Sequence, residues 1–252
     1  LNFASSIPSP ILLLLMGLFS ILFGAAWAAI PAAFKARWGT NDTLFTLMMN
    51  YIAIGIVGWL QGGPWEGKPG SQIIPMFDQA AVLPKIFGVH CGWIIVLILT
   101  ACMFVYMNYT KHGYEIAVLG ESENTARYAG MNVAKVTIRT ACLSGGICGL
   151  VGFMVCSGAN MTLYADVAGG VGFTAIVVAW LAQFNPFAMV AISLLLAVLE
   201  KGSSGLQTTL QVPASISDII TGIILLSMLA CEFFINYRMI LRNQEKEATN
   251  GL

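Results

Sequence analysis

Charged residues are scarce in this chain of 252 residues, and their scarcity excludes whole classes of protein. Asp, Glu, Lys and Arg together make up 10% of the sequence, whereas soluble domains carry about a quarter. Residues 1–34, 140–165 and 167–199 contain no Asp, Glu, Lys, Arg or His. Because about 20 apolar residues span a bilayer as a helix, the sequence predicts several membrane spans and excludes a soluble enzyme. Basic and acidic residues balance at 12 each, so no net charge favours a nucleic acid.

The sequence also lacks the patterns of metal, redox and nucleotide sites. None of the six cysteines forms a Cys-x-x-Cys pair, and the two histidines make no ligand cluster with them. No phosphate-binding Gly-x-x-x-x-Gly-Lys-Ser/Thr occurs. The run from Leu143 to Gly146 resembles an ATPase signature but lies inside an apolar run, where Gly145, Gly149 and Gly152 favour close helix packing instead. We therefore expect no catalytic residue, no metal and no cofactor bound by this chain.

The apolar runs, and the turn residues between them, predict seven helices in one transmembrane domain over residues 1–252. The predicted ranges are 10–31, 43–61, 89–107, 139–158, 168–183, 186–200 and 217–237. Asn41 to Thr43 can cap the second helix, and Asn185–Pro186 separates the fifth from the sixth. The predicted fold class is an all-α polytopic membrane protein with about seven transmembrane helices.

The distribution of Lys and Arg predicts the orientation of these helices. Nine basic residues fall in one set of alternate loops, namely Lys35, Arg37, Lys111, Arg127, Lys135, Arg139, Arg238, Arg242 and Lys246. The other set holds Lys68, Lys85 and Lys201. Because basic loops stay in the cytoplasm, we expect an extracytoplasmic loop at 62–88, a cytoplasmic loop at 108–138 and a cytoplasmic C-terminal tail at 238–252.

The predicted cytoplasmic loop contains the capping pattern of a short helix. Ser122 or Asn124 can cap two helical turns that end near Ala129, with Glu121 and Glu123 at the positive end. A helix this short is marginal alone in water and needs a partner surface. A solvated linker is the alternative interpretation.

Ionisable residues are nearly absent from the predicted spans, which argues against transport driven by protons or ions. Glu232 is the one candidate, and it lies close to the basic tail. The uncharged polar residues in the spans are Asn50, Ser144, Thr174, Gln183, Ser193 and Thr221. Each can either bind a solute or hold helices together. Asn50 and Tyr51 place an amide and an aromatic ring in mid-span, which suit the edge and the face of a nucleobase.

Four stretches, in order and spacing, carry a family pattern over nearly the whole chain. They are Pro31 to Gly39 with Leu44 to Ala53, Gly113 to Glu115 with Gly120 to Val133, Gly172 to Ala179 with Asn185–Pro186, and Val212–Pro213 with Gly222 to Leu226. The sequence resembles the permease subunits of bacterial ABC importers for nucleosides and simple sugars, within the broader group of branched-chain amino acid and ribose permeases.

The resemblance implies a non-catalytic subunit of the bacterial cytoplasmic membrane that works with several partners. These are a second permease, identical or similar, an ABC ATPase that binds Mg-ATP, an extracytoplasmic solute-binding protein or lipoprotein that faces loop 62–88, membrane lipid and a small neutral solute. A cytoplasmic coupling helix would sit in a groove of the ATPase, with Ala126, Tyr128 and Ala129 as anchors. The residues assigned to this coupling are Glu121, Glu123, Ala126, Arg127, Tyr128, Ala129 and Gly130. Those assigned to the substrate path are Asn50, Tyr51, Phe173 and Thr174.

The chain departs from the family pattern in three places. Members of the family are longer at the front, so we expect further N-terminal spans to precede this sequence. Thr174 stands where the family usually has Asp, and Ala182 stands where Gly is common. The expected solute is a nucleoside, then a simple sugar, then a branched-chain amino acid. Two alternatives remain: an ATP-independent facilitator for small neutral solutes, and an inactive truncated permease.

Overall fold

The structure is a computed structural model that describes residues 8–210 except 69, 72, 87 and 88, together with scattered residues between 213 and 230. The chain divides into two compact units, Leu1–Gly170 and Val171–Leu252. The described part is helical apart from loops and one pair of two-residue strands.

The described residues of the first unit form six α-helices, which are α1 (Ser9–Trp38), α2 (Asp42–Gln61), α3 (Gly92–Tyr109), α4 (Lys111–Glu121), α5 (Glu123–Tyr128) and α6 (Val133–Met154). A π-helix, Val155–Asn160, continues α6. Between α2 and α3 lie a 3₁₀ turn, Gln79–Ala81, and the antiparallel strands β1 (Lys85–Ile86) and β2 (Val89–His90). The described helices of the second unit are α7 (Val171–Leu181) and α8 (Pro186–Leu210).

Five helical segments of the described chain are long and apolar enough to cross a membrane. They are Ser9–Trp38, Asp42–Gln61, Gly92–Tyr109, Val133–Asn160 and Pro186–Ser203. Large apolar side chains on them are exposed, among them Leu14 at 75% and Phe23 at 72%, as lipid-facing positions require. The expectation of an all-α polytopic membrane protein is therefore confirmed.

One of the seven predicted helices is shorter than a membrane span, and another lies largely outside the described residues. The helix predicted at 168–183 is α7, whose 11 residues reach about 16 Å, roughly half of the hydrocarbon core. Gly169 and Gly170 have φ of +51° and +72°, which is not helical. Residues 168–170, which the sequence assigned to the helix, therefore lie in the turn before α7. The helix predicted at 217–237 lies largely outside the described residues, as does Glu232.

Helices α1 and α6 run antiparallel and touch along their backbones. The Ser20 hydroxyl donates a hydrogen bond to the Gly149 carbonyl, while a Cβ added to Gly145 would lie 2.5 Å from the Gly24 carbonyl oxygen. Small residues allow such close approach between membrane helices. The packing role predicted for Gly145 and Gly149 is confirmed, whereas a Cβ on Gly152 would meet nothing within 4 Å.

The loop between α2 and α3 folds onto the end of α6. The Phe77 amide donates to the Met161 carbonyl at 2.8 Å, and the Leu83 amide donates to the Ser157 carbonyl at 3.1 Å. The Thr162 hydroxyl donates to the Ile74 carbonyl at 3.1 Å. We call this part of the first unit the loop end, and the opposite part, which carries α5, the α5 end.

The start of α3 differs from the sequence prediction. Residues 89 and 90 were expected to begin the third helix, but they form β2 and pair with β1, so that Lys85 lies opposite His90. Cys91 then makes a turn, and α3 begins at Gly92. Pairing with β1 gives the backbone of residues 89–90 hydrogen-bond partners outside the helix. The pattern of apolar residues in the sequence does not reveal this pairing.

The break between α7 and α8 falls where the sequence predicts it. Gln183 and Phe184 adopt left-handed φ angles of 48° and 59°. The Asn185 side chain then accepts a hydrogen bond from the Phe187 amide at 3.1 Å, and Pro186 opens α8. Proline suits the first turn of a helix because its missing N–H has no partner there.

Candidate functional site

Helices α3 and α4 join through a single residue at the α5 end. The Thr110 hydroxyl donates to the Tyr106 carbonyl at 2.6 Å and accepts a hydrogen bond from the Gly113 amide at 3.2 Å. A Cβ on Gly113 would lie 2.6 Å from the Tyr106 carbonyl oxygen. Glycine is therefore needed for α4 to turn back against α3, and most of the predicted loop 108–138 is helical.

A charged cluster ties α4 to α6. Arg139 Nη2 lies 2.8 Å from Glu115 Oε2, and His112 Nδ1 lies 3.5 Å from the same oxygen. The side chains of Glu115 and Arg139 are 16% and 30% exposed. The Arg139 guanidinium, through its hydrogen bond, holds the pKa of Glu115 below its usual value, with His112 acting in the same direction and partial burial opposing both.

Helix α5 is short, but its sequence defines both of its ends. The Ser122 hydroxyl accepts a hydrogen bond from the Thr125 amide at 3.3 Å, which is a cap worth about 1 kcal/mol. Glu123 Oε1 and Arg127 Nη2 lie 2.6 Å apart, one turn from each other. Gly130, with a φ of +76°, ends the helix. The capping pattern in the sequence thus corresponds to a real helix.

The two faces of α5 differ sharply in exposure. Tyr128 is 94% exposed, whereas Ala126 is 1% exposed. Ala126 was expected to anchor the ATPase, yet its side chain is buried against its own chain and is not presented outward. Of the assigned residues, Glu123, Arg127 and Tyr128 of α5 and Ala129 directly after it are exposed, while Glu121 ends α4. Gly130 is also exposed, beyond the last turn of α5.

An open cavity of about 760 Å³ lies among α1, α2, α4 and α6. We call it the central cavity. Its apolar wall includes Trp27 and Met49, and its polar groups include Thr46, Asn50, Thr140 and Ser144. Lys35 Nζ and Asp42 Oδ2, 2.9 Å apart, neutralise each other at its rim.

Asn50 is the side chain of the central cavity best suited to recognise a polar solute. The Thr46 hydroxyl donates to the Asp42 carbonyl, and the Thr140 hydroxyl donates to the Val136 carbonyl. These two hydroxyls therefore offer a solute chiefly their lone pairs. The Asn50 amide supplies both donors and an acceptor.

Two of the four predicted substrate-path residues, Asn50 and Tyr51, belong to the first unit. Asn50 lines the central cavity, whereas its neighbour Tyr51 is absent from the lining and is 71% exposed. Phe173 and Thr174 belong to α7 in the second unit, and Phe173 is 58% exposed. Of the substrate-path residues predicted in the first unit, Asn50 is therefore the one that lines the central cavity.

A second cavity, of about 540 Å³, lies beside α5 and was not anticipated from the sequence. It is lined by the turn between α1 and α2, by α5 and by the start of α6. Its charged lining residues are Lys35, Arg37, Glu123 and Arg127. We call it the basic cavity. In the sequence, the two basic residues at the end of α1, Lys35 and Arg37, and Arg127 in α5 were the available signal.

No group of side chains that could hold a metal ion occurs in the described residues.

Comparison with known proteins places the chain in a family. The profile described as "Branched-chain amino acid transport system / permease component" matches residues 3–229. The glucose ABC transporter permease protein TsgB13 of Haloferax volcanii is 31% identical over 93% of this chain and 65% of its own length. The guanosine ABC transporter permease protein NupP of Bacillus subtilis is 30% identical over 81% of this chain and 60% of its own length.

A third relative, the nucleoside ABC transporter permease protein NupB of Lactococcus lactis, is 24% identical over 93% of this chain and 66% of its own length. The chain thus spans less than two thirds of the length of these relatives. No solved structure matches it significantly. The long profile match, together with helices that fit a membrane, confirms the resemblance seen in the sequence: the chain belongs to the branched-chain amino acid transport system permease family.

Proposed function

We propose that this chain is the membrane-spanning permease subunit of an ATP-driven importer and that α5 is its contact with the ATPase. The observation that carries the proposal is the geometry of α5. It is capped by Ser122, fixed inward by buried Ala126 and presents Tyr128 at 94% exposure. An exposed aromatic on a short capped helix suits insertion into a groove of a partner. The chain itself performs no chemistry, and Mg-ATP binds to the partner.

The charge distribution supports a cytoplasmic position for α5. In the first unit, Lys35, Arg37, Lys111, Arg127, Lys135 and Arg139 lie at the α5 end, whereas Lys68 and Lys85 lie at the loop end. The bias toward one end follows the positive-inside rule. The loop end would then face outward and meet a solute-binding protein or lipoprotein, and the tail 238–252 would be cytoplasmic, in a bacterial cytoplasmic membrane.

The contacts of α4 provide a physical route from α5 into the membrane. Helix α5 follows α4 with only Ser122 between them, and Glu115 of α4 is bonded to Arg139 of α6. Helix α6 in turn packs on α1 through glycines. A displacement of α5 by closure of the ATPases would therefore move α4, α6 and α1 together. Such rigid-body motion is one way in which packed helices transmit displacement.

The central cavity supports a neutral polar solute, which we propose to be a nucleoside or a simple sugar. Its aromatic and thioether surfaces suit the face of a base, and Asn50 can hydrogen-bond an edge or a hydroxyl. Its one rim carboxylate is already paired with Lys35. The solutes for which the relatives are named, glucose, guanosine and nucleosides, belong to the same two classes of compound. A second permease, identical or similar, would complete the pathway.

Co-purification of the Tyr128→Ala variant tests the ATPase contact. Because Tyr128 is almost fully exposed, its truncation should leave the chain folded. The affinity for the ATPase should fall by about tenfold or more, since a central anchor of the contact is lost. Tyr109→Ala is the matched control, since Tyr109 is 77% exposed at the same end but outside α5. The proposal fails if the ATPase stays bound to Tyr128→Ala as it does to wild type, or if wild type purifies alone.

Uptake by the Asn50→Leu variant tests the solute site independently. Asn50→Leu should reduce uptake of the nucleoside or sugar without reducing the membrane level of the protein or the bound ATPase. Tyr51→Leu, one position away and outside the cavity lining, should keep uptake near wild type. Equal effects of the two variants would return Asn50 to a packing role.

A further inference from the structure

We propose that the basic cavity binds the phosphate group of an anionic phospholipid at the surface of the membrane. The cavity encloses about 540 Å³, which is enough for a headgroup. It is distinct from the central cavity, although Lys35, Leu119 and Thr137 border both. Only the choice of the cytoplasmic leaflet rests on the function proposed above.

The charges around the basic cavity leave one cation without a carboxylate partner. Lys35 is paired with Asp42 at 2.9 Å, and Arg127 is paired with Glu123 at 2.6 Å. Arg37 has no carboxylate partner in the part of the chain that the structure describes, and its Cζ lies 5.3 Å from the ring centroid of Trp38. Three cations and two carboxylates sum to one positive charge, which matches a phosphodiester monoanion.

The cavity lies at the level where a phospholipid phosphate sits. The candidate spans of α1 and α2 meet at the turn between Trp38 and Asp42, and the span of α6 begins at Val133. The end of α1, the turn after it and the start of α6 line the basic cavity. Trp38 is 62% exposed beside it, as expected of a ring in the interfacial belt. Basic pockets between membrane helices at this depth recognise lipid headgroups.

Arg37 is the donor of the basic cavity that is available to a phosphate. Thr40 Oγ1 is also unpaired among the described residues, but it is buried beneath the cavity surface and offers no contact to a ligand there. The Arg37 guanidinium carries several N–H donors, which suit phosphate oxygens.

The location of Arg127 and Glu123 links this lipid site to α5. Both side chains belong to α5 and line the basic cavity. A phosphate bound there would lie next to Arg127 and so connect α5 to the membrane surface. The proposed ligand is therefore a structural lipid of the coupling region.

The test uses the full chain purified in detergent and titrated with short-chain phosphatidylglycerol, with phosphatidylcholine or with inorganic phosphate. The midpoint of thermal unfolding reports binding, because a ligand that binds only the folded state raises it. We expect phosphatidylglycerol to raise the midpoint and phosphatidylcholine not to do so. Arg37→Gln should weaken the apparent affinity for phosphatidylglycerol about fivefold, and Arg127→Gln, which removes another cation of the lining, should weaken it in the same direction.

The matched control is Lys111→Gln, which removes an exposed cation from the same end of the chain but outside the basic cavity. It should retain the wild-type affinity for phosphatidylglycerol. An equal loss in Lys111→Gln and Arg37→Gln would overturn the site in favour of diffuse attraction. Equal effects of phosphatidylglycerol and phosphatidylcholine on wild type, or an effect of inorganic phosphate as large as that of the lipid, would overturn the lipid assignment. If Arg37→Gln does not fold, Arg127→Gln decides by the same criteria.

Discussion

The contact between α1 and α6 predicts opposite outcomes for two alanine substitutions on one helix. Gly145 and Gly152 both lie in α6, two turns apart. A Cβ at 145 would lie 2.5 Å from the Gly24 carbonyl oxygen, whereas a Cβ at 152 meets nothing within 4 Å. Both substitutions gain the same helix propensity, about 1 kcal/mol. The difference between them therefore isolates the strain of pushing α1 away from α6.

The size of that strain follows from the geometry. A carbon atom needs about 3.5 Å to a neighbouring heavy atom, so Gly145→Ala requires the two backbones to separate by about 1 Å. A gap of that size forfeits a quarter to a half of the dispersion energy across the contact. Overpacking of this kind costs about 1–3 kcal/mol. We expect Gly145→Ala to be less stable than Gly152→Ala by that amount, and Gly152→Ala to be as stable as wild type or more so.

Unfolding of the two variants in mixed micelles, followed by far-ultraviolet circular dichroism, measures this difference. The wild type and both variants are compared at the same detergent composition, with the level of each protein in the membrane as a second readout. Midpoints that shift together, or a Gly152→Ala variant that is the less stable of the two, would refute the backbone contact between α1 and α6.

Two further predictions concern the α5 end. Gly113→Ala should destabilise the protein by about 1–3 kcal/mol, because the added Cβ would lie 2.6 Å from the Tyr106 carbonyl oxygen. Gly120→Ala on the same helix should not destabilise it, since a Cβ there would meet nothing within 4 Å. Equal unfolding midpoints of the two variants would contradict the tight turn between α3 and α4. The lowered pKa of Glu115 means that its pairing stabilises the fold above the ordinary carboxyl pKa and that this stabilisation is lost as the pH falls through the lowered value. Unfolding midpoints measured from pH 7 down to about pH 3 should therefore fall less steeply in Glu115→Gln than in wild type, and parallel profiles would show that the pair contributes nothing.

Much of the fold follows from apolar runs and turn chemistry, because both are local. Asn41 caps α2 and Asn185–Pro186 opens α8 where the sequence predicts. The glycines of α6 were recognisable as a packing surface, but their partner on α1 was not, since the contact joins residues more than a hundred positions apart. The length of α7 was overestimated because Gly169 and Gly170 take left-handed conformations, which an apolar count does not register.

The sequence predicts the short helix of the candidate site but not the contacts that this region makes with other helices. The existence of α5 follows from Ser122 and Gly130, which act on the backbone next to them. The pair between Glu115 and Arg139 joins α4 to α6, and no local pattern connects these two residues. The basic cavity was missed for the same reason, because it forms only when the end of α1 meets α5.

The exposure of α5 also changes which experiment can test its role. Residues two positions apart on a helix point about 200° away from each other, so Ala126 and Tyr128 cannot both enter one groove of a partner. Ala126, at 1% exposure, is the buried contact that turns Tyr128 outward. A charge at position 126 would be buried without a partner, which costs several kcal/mol, and Ala126→Glu should therefore lose folded protein together with the ATPase. If Ala126→Glu instead accumulates to the wild-type level and only the ATPase is lost, position 126 faces the partner and Ala126 is not an inward contact of α5.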